Sequence, residues 1–218
     1  MRIFRSLLQL FFRQFYTTLA WSYDIVARIV SVGQWNDWVR SILEPFPARP
    51  ILEIAHGPGH LLLELNLRRG NAFGVDASRQ MCRMASHRLK RNGHVSKVVQ
   101  GRAQALPFPP ETFATLLSTF PTEFILDPGS LTEAHRTLQL EGQYRIVPMA
   151  EIRGPSLLDR MAGWLFRVTW QYVELPTSWT QPISDAGFHV RREDVLLSRS
   201  RVIRIIATRV KQKEGQVV

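Results

Sequence analysis

The chain has 218 residues, 45% of them hydrophobic and 21% charged, which suits one domain with a sizeable core. Cys82 is its only cysteine, which excludes an intrachain disulfide and a cysteine-rich zinc site. Its 28 Lys and Arg against 18 Asp and Glu give a net charge of +10, compatible with nucleic acid, an anionic membrane surface or an unspecific basic exterior. The longest apolar candidate for a span, Leu7 to Ala20, is broken by Arg13 and Gln14, and no small-residue cleavage site follows Arg2 and Arg5. The expectation is a cytoplasmic protein.

Apolar residues from Ile3 to Leu19 recur at steps of three and four, which predicts an amphipathic helix over 3–19. A second helix is predicted over 23–43, and Pro45, Pro47 and Pro50 mark the end of a helical extension, 1–46. The domain proper is expected over 47–213. Strands are predicted at 50–54, 72–75, 95–100, 113–118 and 144–147, alternating with helices at 61–69, 79–91 and 130–138. Such alternation argues for a mostly parallel sheet with helices on both faces. A Trp- and Phe-rich helical insertion follows at 155–175, then two β-rich runs, 188–197 and 202–209. All six tryptophans fall outside residues 50–150, so the flanks carry the aromatic bulk that pocket walls or ordinary packing would need.

The segment ILEIAHGPGHLLLEL, 51–65, reads as a buried strand with Glu53 near its end, a glycine turn, and the start of a helix. Gly57 and Gly59 would let the backbone turn tightly and approach a ligand closely. Asp76 ends the next strand in AFGVDAS, where a carboxylate can accept hydrogen bonds from both hydroxyls of a ribose. Strand, turn, helix, strand and acidic end together point to an adenosine-type ligand.

At this point the sequence resembles the class I SAM-dependent methyltransferases, in the style of the ubiquinone/menaquinone-biosynthesis-like branch. EIAHGPG, 53–59, looks like their first motif, and GVDAS, 74–78, with Met81 looks like the second. GRAQALPFPPETF, 101–113, and LTEAHRTLQLEGQYRIV, 131–147, resemble the segments that follow. The resemblance implies a Rossmann-like, seven-stranded α/β fold with an antiparallel C-terminal strand, and S-adenosylmethionine (SAM) as cofactor. It implies that Glu53, Ala55, Gly57 and Gly59 form the loop at the methionine and ribose portion. Asp76 and Ala77 would meet the ribose, Met81 would lie near the adenine, and Ala103 and Gln104 would frame it. Ser118, Thr119 and Phe120 would border the methyl group and its acceptor, and Tyr23 would close over the cofactor.

Three positions depart from the pattern. Ala55 replaces the first glycine, Arg102 stands where an adenine-contacting Asp is common, and Ala114 follows Phe113 in place of an acidic residue. An arginine cannot accept a hydrogen bond. Methyl transfer is an in-line displacement that rests on holding two atoms close and aligned, and a base is needed only if the acceptor must first lose a proton. His56 and His60 flank the turn, His135 reads as a surface residue on its helix, and Cys82 as a small buried hydrophobe; no catalytic base or metal ligand is singled out.

The leading reading is an enzyme that methylates a small or lipid-like acceptor, with helix 3–19 as a contact for an anionic membrane. The alternative is a catalytically impaired, methyltransferase-like scaffold, motivated by Ala55 and Arg102. A nucleic-acid methyltransferase is disfavoured, since residues 118–121 read STFP where base amino methylation uses Asn/Asp-Pro-Pro-Tyr. A dinucleotide oxidoreductase is disfavoured by the lack of a third glycine after Gly59.

Overall fold

The computed structural model describes residues 23–68, 71–168 and 177–211. The predicted helix 3–19 and residues 169–175 of the predicted insertion lie outside the described residues. In chain order the elements are α1 (Tyr23–Val30), α2 (Trp35–Arg40), β1 (Ile51–Ile54), α3 (His60–Arg68), β2 (Ala72–Asp76), α4 (Arg79–Arg91) and β3 (Val98–Gln100). There follow β4 (Phe113–Thr119), α5 (Pro128–Thr137), β5 (Leu138–Ile152), α6 (Leu157–Val168), α7 (Gln181–Asp185), β6 (Phe188–Leu196) and β7 (Ser200–Arg209). Among the described residues, no helix is long and apolar enough to cross a membrane.

Seven strands form one sheet in the order β3-β2-β1-β4-β5-β7-β6. Strands β1 to β5 run parallel to one another, and β7 runs antiparallel to both β5 and β6. The order reverses at β1 and β4. Ligands of open parallel sheets sit at such a switch point, beyond the carboxyl ends of the strands.

Two apolar clusters explain why the sheet forms where it does. Leu52 and Ile54 pack with Phe113, Leu131, Ala134 and Ile183, while Ile51 packs with Ile42, Leu61, Leu65 and Leu89. Alternate residues of β1 thus bury opposite faces, each such side chain contributing about 1.5–3 kcal/mol. The same alternation sets Glu53 on the Ile51 side. Ser78 caps α4, its hydroxyl accepting the Met81 N–H at 3.3 Å, and Asp127 caps α5 ahead of Pro128, accepting the Ser130 N–H at 3.1 Å.

Several boundaries differ from expectation. The helix predicted over 23–43 is broken, because Val32 and Gly33 take φ of 51° and 80° between α1 and α2. Strand β5 spans fifteen residues, where only 144–147 reads as strand. The Glu141–Gly142 pair forms a bulge within the strand: Glu141 has φ 60°, and a Cβ on Gly142 would lie 2.8 Å from the Gln139 carbonyl oxygen. A second irregularity lies between Ile146 and Met149, beside Pro148, which has no N–H to give the ladder. The edge strand β3 pairs only over 98–100, and Val95 is left exposed.

Two arginines join the N-terminal elements to the sheet. Arg145 on β5 donates to the carbonyls of Ile42 and Pro45 at 3.3 and 2.6 Å. Arg204 on β7 donates to the Ser41 carbonyl at 2.8 Å and to that of Glu44, and meets Glu193 at 2.5 Å. Both are buried. A planar guanidinium can satisfy several carbonyls at once, which is how these charges are tolerated in the interior.

Candidate active site at the β1–β2 edge

The turn after β1 is built on backbone conformations that few side chains allow. Ala55, Gly57 and Gly59 take φ of 57°, 54° and 80°. Ala55 donates its N–H to the Val75 carbonyl at 2.8 Å, so the residue replacing the first glycine holds the left-handed conformation at a cost. Gly59 has a second constraint. A Cβ there would lie 2.6 Å from the Ala85 Cβ, so its bareness lets the turn press against α4. Gly57 differs: nothing lies within 4 Å of where its Cβ would be, so its backbone borders open space.

Asp76 ties this turn to the next. Its Oδ2 accepts the Gly57 N–H at 2.9 Å and its Oδ1 the Ser78 N–H at 2.8 Å. Each oxygen keeps a lone pair for a further donor. Arg88 of α4 donates to the Pro58 carbonyl at 2.5 Å and fixes the turn from the other side.

Glu53 is buried, and its Oε2 has no hydrogen-bond partner. Burial, reinforced by the Asp76 charge, pushes its carboxyl well above the usual range. A buried acceptor without a donor, at the mouth of a parallel sheet, is a place for a cationic or N–H-bearing ligand group. Among the described residues no cluster of His, Cys, Asp and Glu could hold a metal ion.

His56 is held within the turn. It is buried, and its Nδ1 sits 2.7 Å from the Gly57 carbonyl oxygen; a carbonyl only accepts, so Nδ1 carries the hydrogen. Burial lowers its pKa, against the opposing pull of Asp76. Cys82 is buried 3.9 Å from His56 Nε2, with its thiol pushed up by burial and Asp76. His60 is exposed at the start of α3. His135, read from sequence as a surface residue, is half-buried and edge-on to Phe188 at 5.3 Å.

The remaining residues divide. Exposed Ala77 and half-buried Ala103 flank the edge, Gln104 is exposed, and Met81 is buried in the first turn of α4. Exposed Arg102 forms a backbone bridge with Ala105. Ser118 does not present an open hydroxyl: it is fully buried and donates to the Ile54 carbonyl at 3.1 Å. It joins β4 to β1, a link the sequence does not reveal because serine is common on either side of a strand end. Thr119 and Phe120 are half-buried at the end of β4, where the Phe120 ring stacks on Trp35 at 4.4 Å. Tyr23 begins α1.

Sequence reasoning missed two positioning residues. Glu133 on α5 accepts the Leu106 N–H at 2.7 Å, and Arg136 donates to the carbonyls of Leu106 and Phe108 at 3.0 and 2.8 Å. Together they pin the segment after β3 beside the site. Arg136 in turn holds the Glu133 carboxyl below its ordinary value. Their three-residue helical spacing was the available signal, but it reads as a surface ion pair.

The strand order and the switch point define a Rossmann-like α/β domain, with the glycine–aspartate edge at its carboxyl side. Residues 51–142 match a family described as a methyltransferase domain. The chain is 31% identical over 146 residues to the ubiquinone/menaquinone biosynthesis C-methyltransferase UbiE of Xanthomonas axonopodis pv. citri, covering 63% of this chain and 58% of that protein. It is 29% identical over 142 residues to the demethylmenaquinone methyltransferase of Symbiobacterium thermophilum, covering 61% and 56%. The chain thus matches less than two thirds of the length of these relatives. In fold it is similar to the YcgJ protein of Bacillus subtilis (TM-score 0.60, 16% identity, 81% of this chain and 100% of that one). It is also similar to the geranyl diphosphate C-methyltransferase of Streptomyces coelicolor A3(2) (TM-score 0.57, 14% identity, 80% and 76%). In sequence the chain is therefore similar to class I SAM-dependent methyltransferases of the ubiquinone/menaquinone-biosynthesis type.

Proposed function

We propose that this protein binds SAM across the carboxyl ends of β1 and β2 and methylates a small or lipid-like acceptor. The observation that carries this reading is the Asp76 carboxylate bonded to the Gly57 amide at 2.9 Å, beside an unpartnered buried oxygen of Glu53. The free lone pairs of Asp76 would take the ribose hydroxyls. Glu53 would take the ammonium of the methionine end, and the open backbone at Gly57 would lie along the ligand. The half-buried Ala103 and the exposed Gln104 would frame the adenine, and Tyr23, at the start of α1, would close over the cofactor.

Bound there, SAM supplies a methyl group on an already activated sulfonium. The protein's part is to hold the acceptor in line and to keep water out, which replaces several kcal/mol of entropic barrier. Thr119, which ends the strand next to β1, and Phe120 after it would border the acceptor. Relatives named for ubiquinone and menaquinone biosynthesis, and the likeness to a geranyl diphosphate enzyme, support an acceptor of apolar character. The basic, amphipathic stretch 3–19 would bring the enzyme to an anionic membrane where such acceptors dissolve. Liposome flotation of the full chain against a chain lacking residues 1–20 tests that contact, and equal flotation contradicts it. The transfer itself is tested by incubating the full chain with methyl-labelled SAM and a cell extract. Label in an organic-soluble product that depends on Asp76 supports the reading; label in no product, or only in macromolecules, refutes it.

A further inference from the structure

Beside the cofactor edge lies a cleft of about 420 Å³ lined by Arg28, Gly33, Trp35, Asn36 and His60. Its position follows from chain connectivity. His60 directly follows Gly59 of the turn, and Trp35 stacks on Phe120, the residue after β4. Because β1 and β4 are parallel neighbours, the cleft opens at the same sheet edge as the glycine turn. The Trp35 ring is braced by Trp38 at 6.2 Å as well as by Phe120, and Trp38 is anchored through its indole N–H to Ser200 at 2.8 Å. An indole so held presents a fixed flat wall at low entropic cost.

Arg28 contributes the charge. It is exposed at the end of α1, and among the described residues no carboxylate pairs with its guanidinium. Asn36 adds an amide beside it.

The geometry points to this cleft as the acceptor pocket, taking a flat ring that bears an anionic substituent, with the ring against Trp35 and the anion at Arg28. This rests on the SAM-dependent reading above. An anion at Arg28 has two sources, the acceptor or the cofactor's own carboxylate, and the experiment separates them.

The full chain is first titrated with S-adenosylhomocysteine (SAH), then, once saturated, with 2-naphthoate and with the uncharged 2-naphthamide, followed by ligand-observed NMR. The acceptor assignment expects naphthoate to bind about ten-fold more tightly than the amide, as a charge-assisted hydrogen bond would give. Arg28→Gln is expected to abolish that preference, Arg28→Lys to restore part of it, and both to leave SAH affinity unchanged. Equal binding of the two probes, or a preference that survives Arg28→Gln, overturns the proposal. Loss of SAH affinity in Arg28→Gln would instead assign the guanidinium to the cofactor. Failure of the wild-type chain to bind SAH at the first step would remove the underlying reading, and is seen before any naphthoate is added.

Discussion

Asp76 and Gly57 are joined by a 2.9 Å hydrogen bond from the glycine amide to the carboxylate, across the gap between two neighbouring strand ends. Since the same carboxylate accepts the Ser78 amide at 2.8 Å, one side chain orders both turns that would line the ligand. Asp76→Asn keeps the shape but offers only one acceptor oxygen, so one of the two amides would face an NH2 group. The expected outcome is a loss of about 1–3 kcal/mol in urea unfolding. SAH affinity should fall by more than ten-fold, because a charged acceptor of the ribose hydroxyls is gone as well.

The two glycines of the turn should separate stability from binding. Gly59→Ala meets Ala85 at 2.6 Å in a left-handed backbone, so it is expected to cost about 3 kcal/mol or more. Gly57→Ala meets nothing, and only its φ of 54° resists it, at about 1–2 kcal/mol. Its added methyl would point into open space at the ligand edge. Chemical denaturation and SAH calorimetry on both variants check this: Gly59→Ala should lose more stability, while folded Gly57→Ala should lose more affinity.

Glu53 sets a pH dependence. Its folded pKa lies above the ordinary 4.5, so the folded state holds a proton that the unfolded state releases. Stability should therefore fall as pH rises above about 4.5, until the raised folded pKa is passed. Glu53→Gln removes that slope, and the ligand-free variant is expected to melt higher than wild type at pH 7. Wild-type SAM binding should release a proton as the carboxyl ionises against the incoming ammonium. Calorimetry in two buffers of different ionisation enthalpy reads this directly, and Glu53→Gln should bind weakly with no buffer dependence.

Arg204 offers a test of structure apart from chemistry. Arg204→Leu leaves the Ser41 and Glu44 carbonyls without their buried donor, and should cost about 3 kcal/mol. SAH affinity of the folded protein should stay at wild-type level. A large drop in affinity at intact stability would place Arg204 in the site.

The legible parts of the fold were those written in local grammar. Gly57, Gly59 and Asp76 lie at a strand-to-helix turn and a strand end, where residue type reports backbone conformation, and β1, β2, β4 and α4 are read within a residue or two. What stayed hidden depends on partners far along the chain. The Trp35–Phe120 stack, the Ser118–Ile54 link and the burial of Arg145 and Arg204 leave no periodic trace, because a serine or arginine reads the same whether it meets water or a distant carbonyl. Strand β5 was underestimated because Gly142 and Pro148 are turn residues by type, and the sheet absorbs them at irregularities.

The central claim is that the β1–β2 edge accepts an adenosyl ligand. Isothermal titration of the full chain with SAH measures this without reference to any acceptor. One saturable site per chain is expected, much weakened by Asp76→Asn. A folded wild-type chain that takes up no SAH, or one whose uptake ignores the loss of the Asp76 charge, would contradict it.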